Sequence, residues 1–249
     1  MTDDPVVGDA SRAFLAGLID YAGLFPPAAL DVPAAVAEYA KHRGEDEVWM
    51  LGRFIAPAAR FETVCGAARA AGVTETWEYS LLVGDGSSPD RALAAIPDQG
   101  RTVAACEENY PARVVALETP LPVVGAGRAA AEFGPRLLDA LADAGLGGRE
   151  LSLEVPAGVD DEASIRAIKD LAGTDRFTRV GAKRRCGGVK PEAFPPVERI
   201  ADFILACRGV HLPLKCTAGL HHPVRHRATE PDVMMHGFLN VFGAGVLAY

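Results

Sequence analysis

Arg179-Val-Gly-Ala-Lys-Arg-Arg185 reads as a strand. Helical spacing follows over residues 196–207, and a second strand-like run, Leu212-Pro-Leu-Lys-Cys-Thr217, follows that. The two runs are short, apolar at their centres and closed by Gly-rich segments, Cys186-Gly-Gly188 and Ala218-Gly219. A strand, a crossover of about a dozen residues and a second strand is the unit from which parallel sheets are built. Working outward, the same alternation runs along the chain. Strand-like stretches are expected at 18–24, 48–56, 77–83, 113–119, 150–155, 179–185 and 212–217. Helical spacing falls at 33–42, 58–71, 89–95, 128–144, 162–172 and 196–207.

Right-handed crossovers leave two architectures, a closed (β/α)8 barrel or an open doubly wound sheet. The barrel is favoured. No Gly-x-Gly-x-x-Gly segment opens a helix after the first strand, and polar residues sit at the C-terminal ends of several strands, as in barrel active sites. The fold class is therefore α/β, a TIM-type barrel, read as one domain over residues 1–249 because no Ser- or Gly-rich linker divides the chain. The eighth strand is uncertain: residues 234–248 read as either a helix or a strand, and a helix there leaves the eighth strand missing.

Of 249 residues, 49% are hydrophobic and 23% charged, and the net charge is −8. Such a chain buries a large core and is not disordered. Thirty-three acidic side chains against 25 basic ones make a nucleic acid an unexpected partner. No apolar run is long enough for a membrane span, and the five cysteines form no Cys-x-x-Cys pair and follow no secretory leader, so a cytoplasmic location is expected. A small-molecule enzyme is the reading that composition leaves open, with a homodimer as the default assembly.

Lysine is scarce, at positions 41, 169, 183, 190 and 215. Lys183 and Lys215 fall near the ends of consecutive strands, each four residues before a glycine. Burial and a second ammonium both disfavour a lysine's charged form, and a neutral amine condenses with a carbonyl to give an imine. The competing reading is that both lysines pair with Glu118 and Glu154 and only neutralise the interior. Asp20, in an apolar run, is expected to hydrogen-bond Lys215 and hold it charged. Arg53 on the second strand could orient a substrate carboxylate. Arg184, Arg185 and Arg225 carry guanidinium groups suited to a carboxylate or phosphate. His221 and His222 are candidates for acid–base work, or, with His226 and His236 nearby, for a metal, although neighbours on extended chain point apart.

Three segments, in order, resemble the 2-deoxyribose-5-phosphate aldolase family, the class I aldolase barrels. Leu18-Ile-Asp-Tyr-Ala-Gly-Leu-Phe-Pro-Pro-Ala-Ala-Leu30 is similar to that family's opening segment, Lys183-Arg-Arg-Cys-Gly187 to the segment of its Schiff-base lysine, and Lys215-Cys-Thr-Ala-Gly219 to the segment of the lysine that tunes it. Glu118 in Val114-Val-Ala-Leu-Glu-Thr119 stands where the family has an aspartate, and Glu154 in Leu151-Ser-Leu-Glu-Val155 resembles a glutamate near the end of strand five. The resemblance implies a lyase of aldolase type acting on a small aldehyde or ketone, with no cofactor and no metal. It gives Lys183 as nucleophile, Lys215 as the residue that tunes its pKa, and Asp20 and Glu118 as proton carriers. Arg53, Glu154, Arg185, Gly187, Gly188, Gly219, His221, His222 and Arg225 would line the substrate site. The family's phosphate-binding turns are not matched, because Ala218-Gly-Leu-His-His-Pro-Val-Arg225 replaces the first. The other readings are a metal-dependent lyase or hydrolase built on His221 and His222, and a barrel that binds without catalysing.

Overall fold

Parallel strands buried on both faces demand helices on at least one side, and the chain supplies them in strict alternation. In the computed structural model, residues 9–84, 88–122, 128–230 and 232–249 are described. The chain divides into two compact units, one of residues 1–82 with 102–115 and one of residues 83–101 with 116–249.

The first unit carries helix α1 (Asp9–Leu15), strand β1 (Ile19–Tyr21), α2 (Val32–Arg43), β2 (Leu51–Pro57), α3 (Phe61–Ala70) and β3 (Trp77–Leu82). β1 pairs with β2 and β2 with β3, all parallel. Asp31 starts α2 by accepting the Ala34 N–H at 2.8 Å, with Pro33 in the first turn, and Lys41, His42 and Arg43 complement the dipole at its end. The core is a run of rings: Tyr39 meets Trp77 edge-on at 4.8 Å, Phe54 lies 5.8 Å from Tyr79, and Phe61 stands 5.0 Å from Tyr79.

Helix α4 (Pro89–Asn109) and strand β4 (Ala112–Pro120) contribute to both units. The expected helix over 89–95 is 21 residues long in the structure. Pro97 removes one backbone bond but does not end it, and buried Ile96, Val103 and Cys106 carry it onward.

The second unit continues with α5 (Arg128–Asp143), β5 (Glu150–Glu154), α6 (Asp161–Leu171), β6 (Arg179–Arg185), α7 (Val197–Gly209) and β7 (Leu214–Thr217). Beyond β7 come β8 (His226–Thr229), β9 (Asp232–Met235) and α8 (Phe238–Ala248). Strands β4 to β7 pair in parallel and in sequence order, so the seven strands follow the order of a TIM-type barrel. Residues 234–248 resolve into the end of a strand and a helix. β8 and β9 form an antiparallel pair of their own, and among the described residues no eighth parallel strand follows β7.

The register of the second unit decides which side chains meet. Glu154 is the Cα partner of Lys183, and Lys183 that of Lys215. Residues two apart share a face, so Glu118, Glu154, Lys183 and Lys215 project from one side. β4 and β7 are three strand spacings apart, about 14 Å on a flat sheet. Glu118 and Lys215 nevertheless meet at 2.8 Å, which a concave face permits. Gly181 clears the floor beneath Lys183: a Cβ there would stand 2.7 Å from the Pro213 carbonyl oxygen, so no larger residue fits.

Candidate active site

An ammonium or carboxylate inside an apolar strand must find a partner or lose its charge. Four such groups find one another here. Lys183 Nζ lies 2.8 Å from Glu118 Oε2 and 2.8 Å from Glu154 Oε2, and Lys215 Nζ lies 2.8 Å from Glu118 Oε1. The side chains of Lys183 and Glu118 are 5% and 2% exposed, while those of Glu154 and Lys215 are 17% and 20% exposed. The pit is therefore closed at Glu118 and opens toward Glu154 and Lys215.

Burial alone would push the Glu118 carboxyl up. The ammonium groups of Lys215 and Lys183, by charge and by hydrogen bond, overcome it and bring the pKa down to about 2. Glu118 is thus a permanent anion at neutral pH. Glu118 stands between the two lysines and pairs with both, while Glu154 pairs with Lys183.

Asp20, on β1 in the first unit, accepts the Arg53 backbone N–H at 2.8 Å, which ties β1 to β2. The carboxylate described against Lys215 is Glu118. Arg184 does not serve the pit. Alternation turns it to the opposite face, where it is buried, paired with Asp161, donating to the Pro156 carbonyl at 3.4 Å and lying over the Phe203 ring at 4.9 Å. Arg185, next in the strand, returns to the face of Lys183 and is exposed.

Gly187 and Gly219 stand back to back. A Cβ on Gly187 would lie 2.8 Å from the Gly219 Cα, and Gly219 holds φ +68°. Their place in the structure is thus accounted for by packing of the segments after β6 and β7, with Gly188 beside them. His221 is exposed. Desolvation, then the charge of His222, pushes its imidazole below the ordinary value. The rings of His222 and His226 are 4.1 Å apart, buried His236 meets the Pro195 carbonyl at 2.7 Å, and Arg225 gives its backbone N–H to Asn240. Among the described residues no group of three or more His, Cys, Asp or Glu side chains is placed to hold a metal ion, so the metal-dependent alternative finds no ligand set there. No described helix is long and apolar enough to cross a membrane.

One group on the lysine face was not singled out in the sequence. Thr217 lies two residues beyond Lys215 and is the Cα partner of Arg185, and its hydroxyl oxygen is buried with no hydrogen-bond partner among the described residues. The same two-residue step that links Lys183 to Arg185 would have found it.

The structure is similar to that of the tetrameric deoxyribose phosphate aldolase from Aeropyrum pernix, with a TM-score of 0.58 over 96% of this chain and 85% of that one. The fold is aldolase-like. At 14% identity the likeness concerns the fold alone. No family model matches the chain, and no curated protein matches its sequence.

Proposed function

We propose that the protein is a lyase of class I aldolase type, in which Lys183 forms an imine with a small aldehyde or ketone. The observation that carries this reading is the placement of Lys183, a buried amine with two carboxylates at 2.8 Å and a second ammonium on the next strand. The aldolase-like fold supports it.

The two carboxylates have different work. Glu118 is shared between two ammonium groups and stays ionised, so it is a poor proton acceptor. Glu154 meets Lys183 and is the more exposed of the two, which makes it the acceptor for the Lys183 proton when a carbonyl compound enters. The freed amine attacks the carbonyl carbon, and a C–N bond forms as the oxygen takes up a proton. Loss of water then leaves the imine. Protonated at nitrogen, the C=N bond receives the electron pair when the bond between the α and β carbons breaks; the β-hydroxyl gives its proton to the Glu154 carboxylate and that fragment leaves as an aldehyde, and the enamine left behind is protonated at carbon and hydrolysed to return the amine. Lys215, held charged by Glu118, supplies a fixed positive field beside the developing oxyanion.

The full compensation of all four charges favours a second reading, a structural ion cluster in a barrel that binds without catalysing. Borohydride reduction in the presence of pyruvate, acetone or glycolaldehyde separates the two. A mass increment on Lys183, absent from Lys183→Met and reduced in Glu154→Gln, supports the imine. No increment with any carbonyl probe, together with an unchanged fold in Lys183→Met, leaves the cluster structural.

A further inference from the structure

On the face of β6 that Arg184 occupies, opposite the lysine pit, α6 and α7 pack side by side, and a groove of about 590 Å³ lies between them. Small-molecule sites occupy about 300 to 1,000 Å³, so the groove is of ligand size. Arg199, Asp202, Leu205 and Gly209 recur every three or four residues and make one face of α7 its wall. Part of the lining is apolar: buried Ile165 on α6, Leu205 at 55% exposure, and Val210. A Cβ on Gly209 would meet nothing within 4 Å, which leaves that end open. The rest is charged, with Asp160, Asp161 and Glu162 at the start of α6 and Asp202 on α7 set against Arg166 and Arg199.

Pairing in this groove is incomplete. Glu162 pairs with Arg166, and Arg184 takes Oδ1 of Asp161. The other oxygen, Asp161 Oδ2, is buried and accepts no hydrogen bond among the described residues. Arg199 passes it at 3.3 Å, longer than a charged pair ordinarily makes, and gives its hydrogen bond to the Val159 carbonyl instead. Asp160 caps α6 by accepting the Ala163 N–H, and among the described residues neither Asp160 nor Asp202 has a cationic partner. A buried carboxylate oxygen with an unmade hydrogen bond is costly, and a donor that also carries positive charge relieves the cost best. We propose that the groove binds an alkyl ammonium or alkyl guanidinium compound. Its N–H reaches Asp161 Oδ2, displacing Arg199, whose side chain is 43% exposed. Its methylene chain lies on Ile165, Leu205 and Val210, and its charge offsets Asp160 and Asp202. The site stands apart from the lysine pit and does not depend on the imine reading.

Calorimetric titration of the whole protein with agmatine, putrescine and 1,4-butanediol tests the proposal. The two cations should bind at one site per chain, and the neutral diol should not. Asp202→Asn should weaken cation binding about threefold to fivefold, and so should Asp160→Ser, which removes the charge but keeps a helix cap. Arg199→Ala should strengthen it several-fold, because Asp161 Oδ2 is then clear. Leu205→Lys, which brings an ammonium into the groove from an exposed position, should abolish binding with the melting temperature unchanged. No binding of either cation at millimolar concentration, equal binding of the diol, or an affinity that neither Asp202→Asn nor Leu205→Lys alters overturns the site.

Discussion

Replacing Glu118 by Gln keeps the shape of the side chain and removes a carboxylate that pairs with both ammonium groups. A carboxyl whose pKa falls from 4.5 to about 2 on folding contributes about 3 kcal/mol of stability at neutral pH. Deleting one partner of a buried ion pair costs about 3 to 5 kcal/mol by general experience, so the two routes agree. The sign of the pH dependence follows from the direction of the shift. A depressed carboxyl stabilises the fold above its unfolded pKa, and that stability is lost as pH falls toward the folded value. With 4.5 and about 2 as the limits, the contribution is nearly complete at pH 7, about 2 kcal/mol at pH 3.5 and close to nothing below pH 2. Urea unfolding of the wild type and Glu118→Gln at pH 7 and pH 3.5 measures it. The stability gap should narrow by about 1 kcal/mol between the two, and adding Lys215→Met should recover part of the loss because one stranded ammonium is then gone. A gap below about 1 kcal/mol at pH 7, or one that widens on acidification, would refute the bridging role.

Gly181→Ala should destabilise the protein by about 1 to 3 kcal/mol, since its Cβ meets the Pro213 carbonyl oxygen at 2.7 Å and β7 must shift to admit it; because β7 carries Lys215, imine capture should fall as well, and a variant as stable as wild type would show that the floor is not tight. Asp161→Asn should cost about 3 kcal/mol in urea unfolding, because Arg184 is buried against that carboxylate and Arg199 lies 3.3 Å from it, whereas a loss under about 1 kcal/mol would mean that the guanidinium finds other acceptors. All five cysteines are buried, and desolvation pushes the Cys207 thiol up to about 12. An aromatic disulfide reagent should accordingly label none of them in the native protein and all five in urea, and rapid native labelling of any one would contradict the packing.

The strand and helix rhythm was legible because apolar runs of strand length alternate with longer helical spacing, and six of the seven strands fall close to where the pattern puts them. The first run, 18–24, shortens to Ile19–Tyr21. Helix α4 runs past Pro97, where local propensity argues for a stop, because its buried residues on the far side hold it. Residues 234–248 were ambiguous since a composition of Phe, Leu, Val, Gly and Ala suits either state, and only pairing with β8 shows which part is strand.

The four charged residues of the pit stood out for a simple reason: each interrupts an apolar strand, and such a charge needs a partner. Which acid meets which amine depends on register and on the concavity that brings β4 toward β7, and neither is written in local spacing. The acid described beside Lys215 is Glu118. Thr217 carries no signal in the sequence, because threonine is ordinary in a strand and what sets it apart is an unmade hydrogen bond.

Lys183 sits between Ala182 and Arg184, both of which face away from the pit. Sliding β6 by a single position would therefore withdraw the amine and present either a methyl group or a guanidinium to the waiting carboxylates. Neither satisfies Glu118 and Glu154 in the same geometry, so each mispaired alignment strands buried negative charge or crowds a larger cation into a space cut for a smaller one. The ionic quartet thus favours one strand alignment over its neighbours, whatever chemistry the finished pit performs.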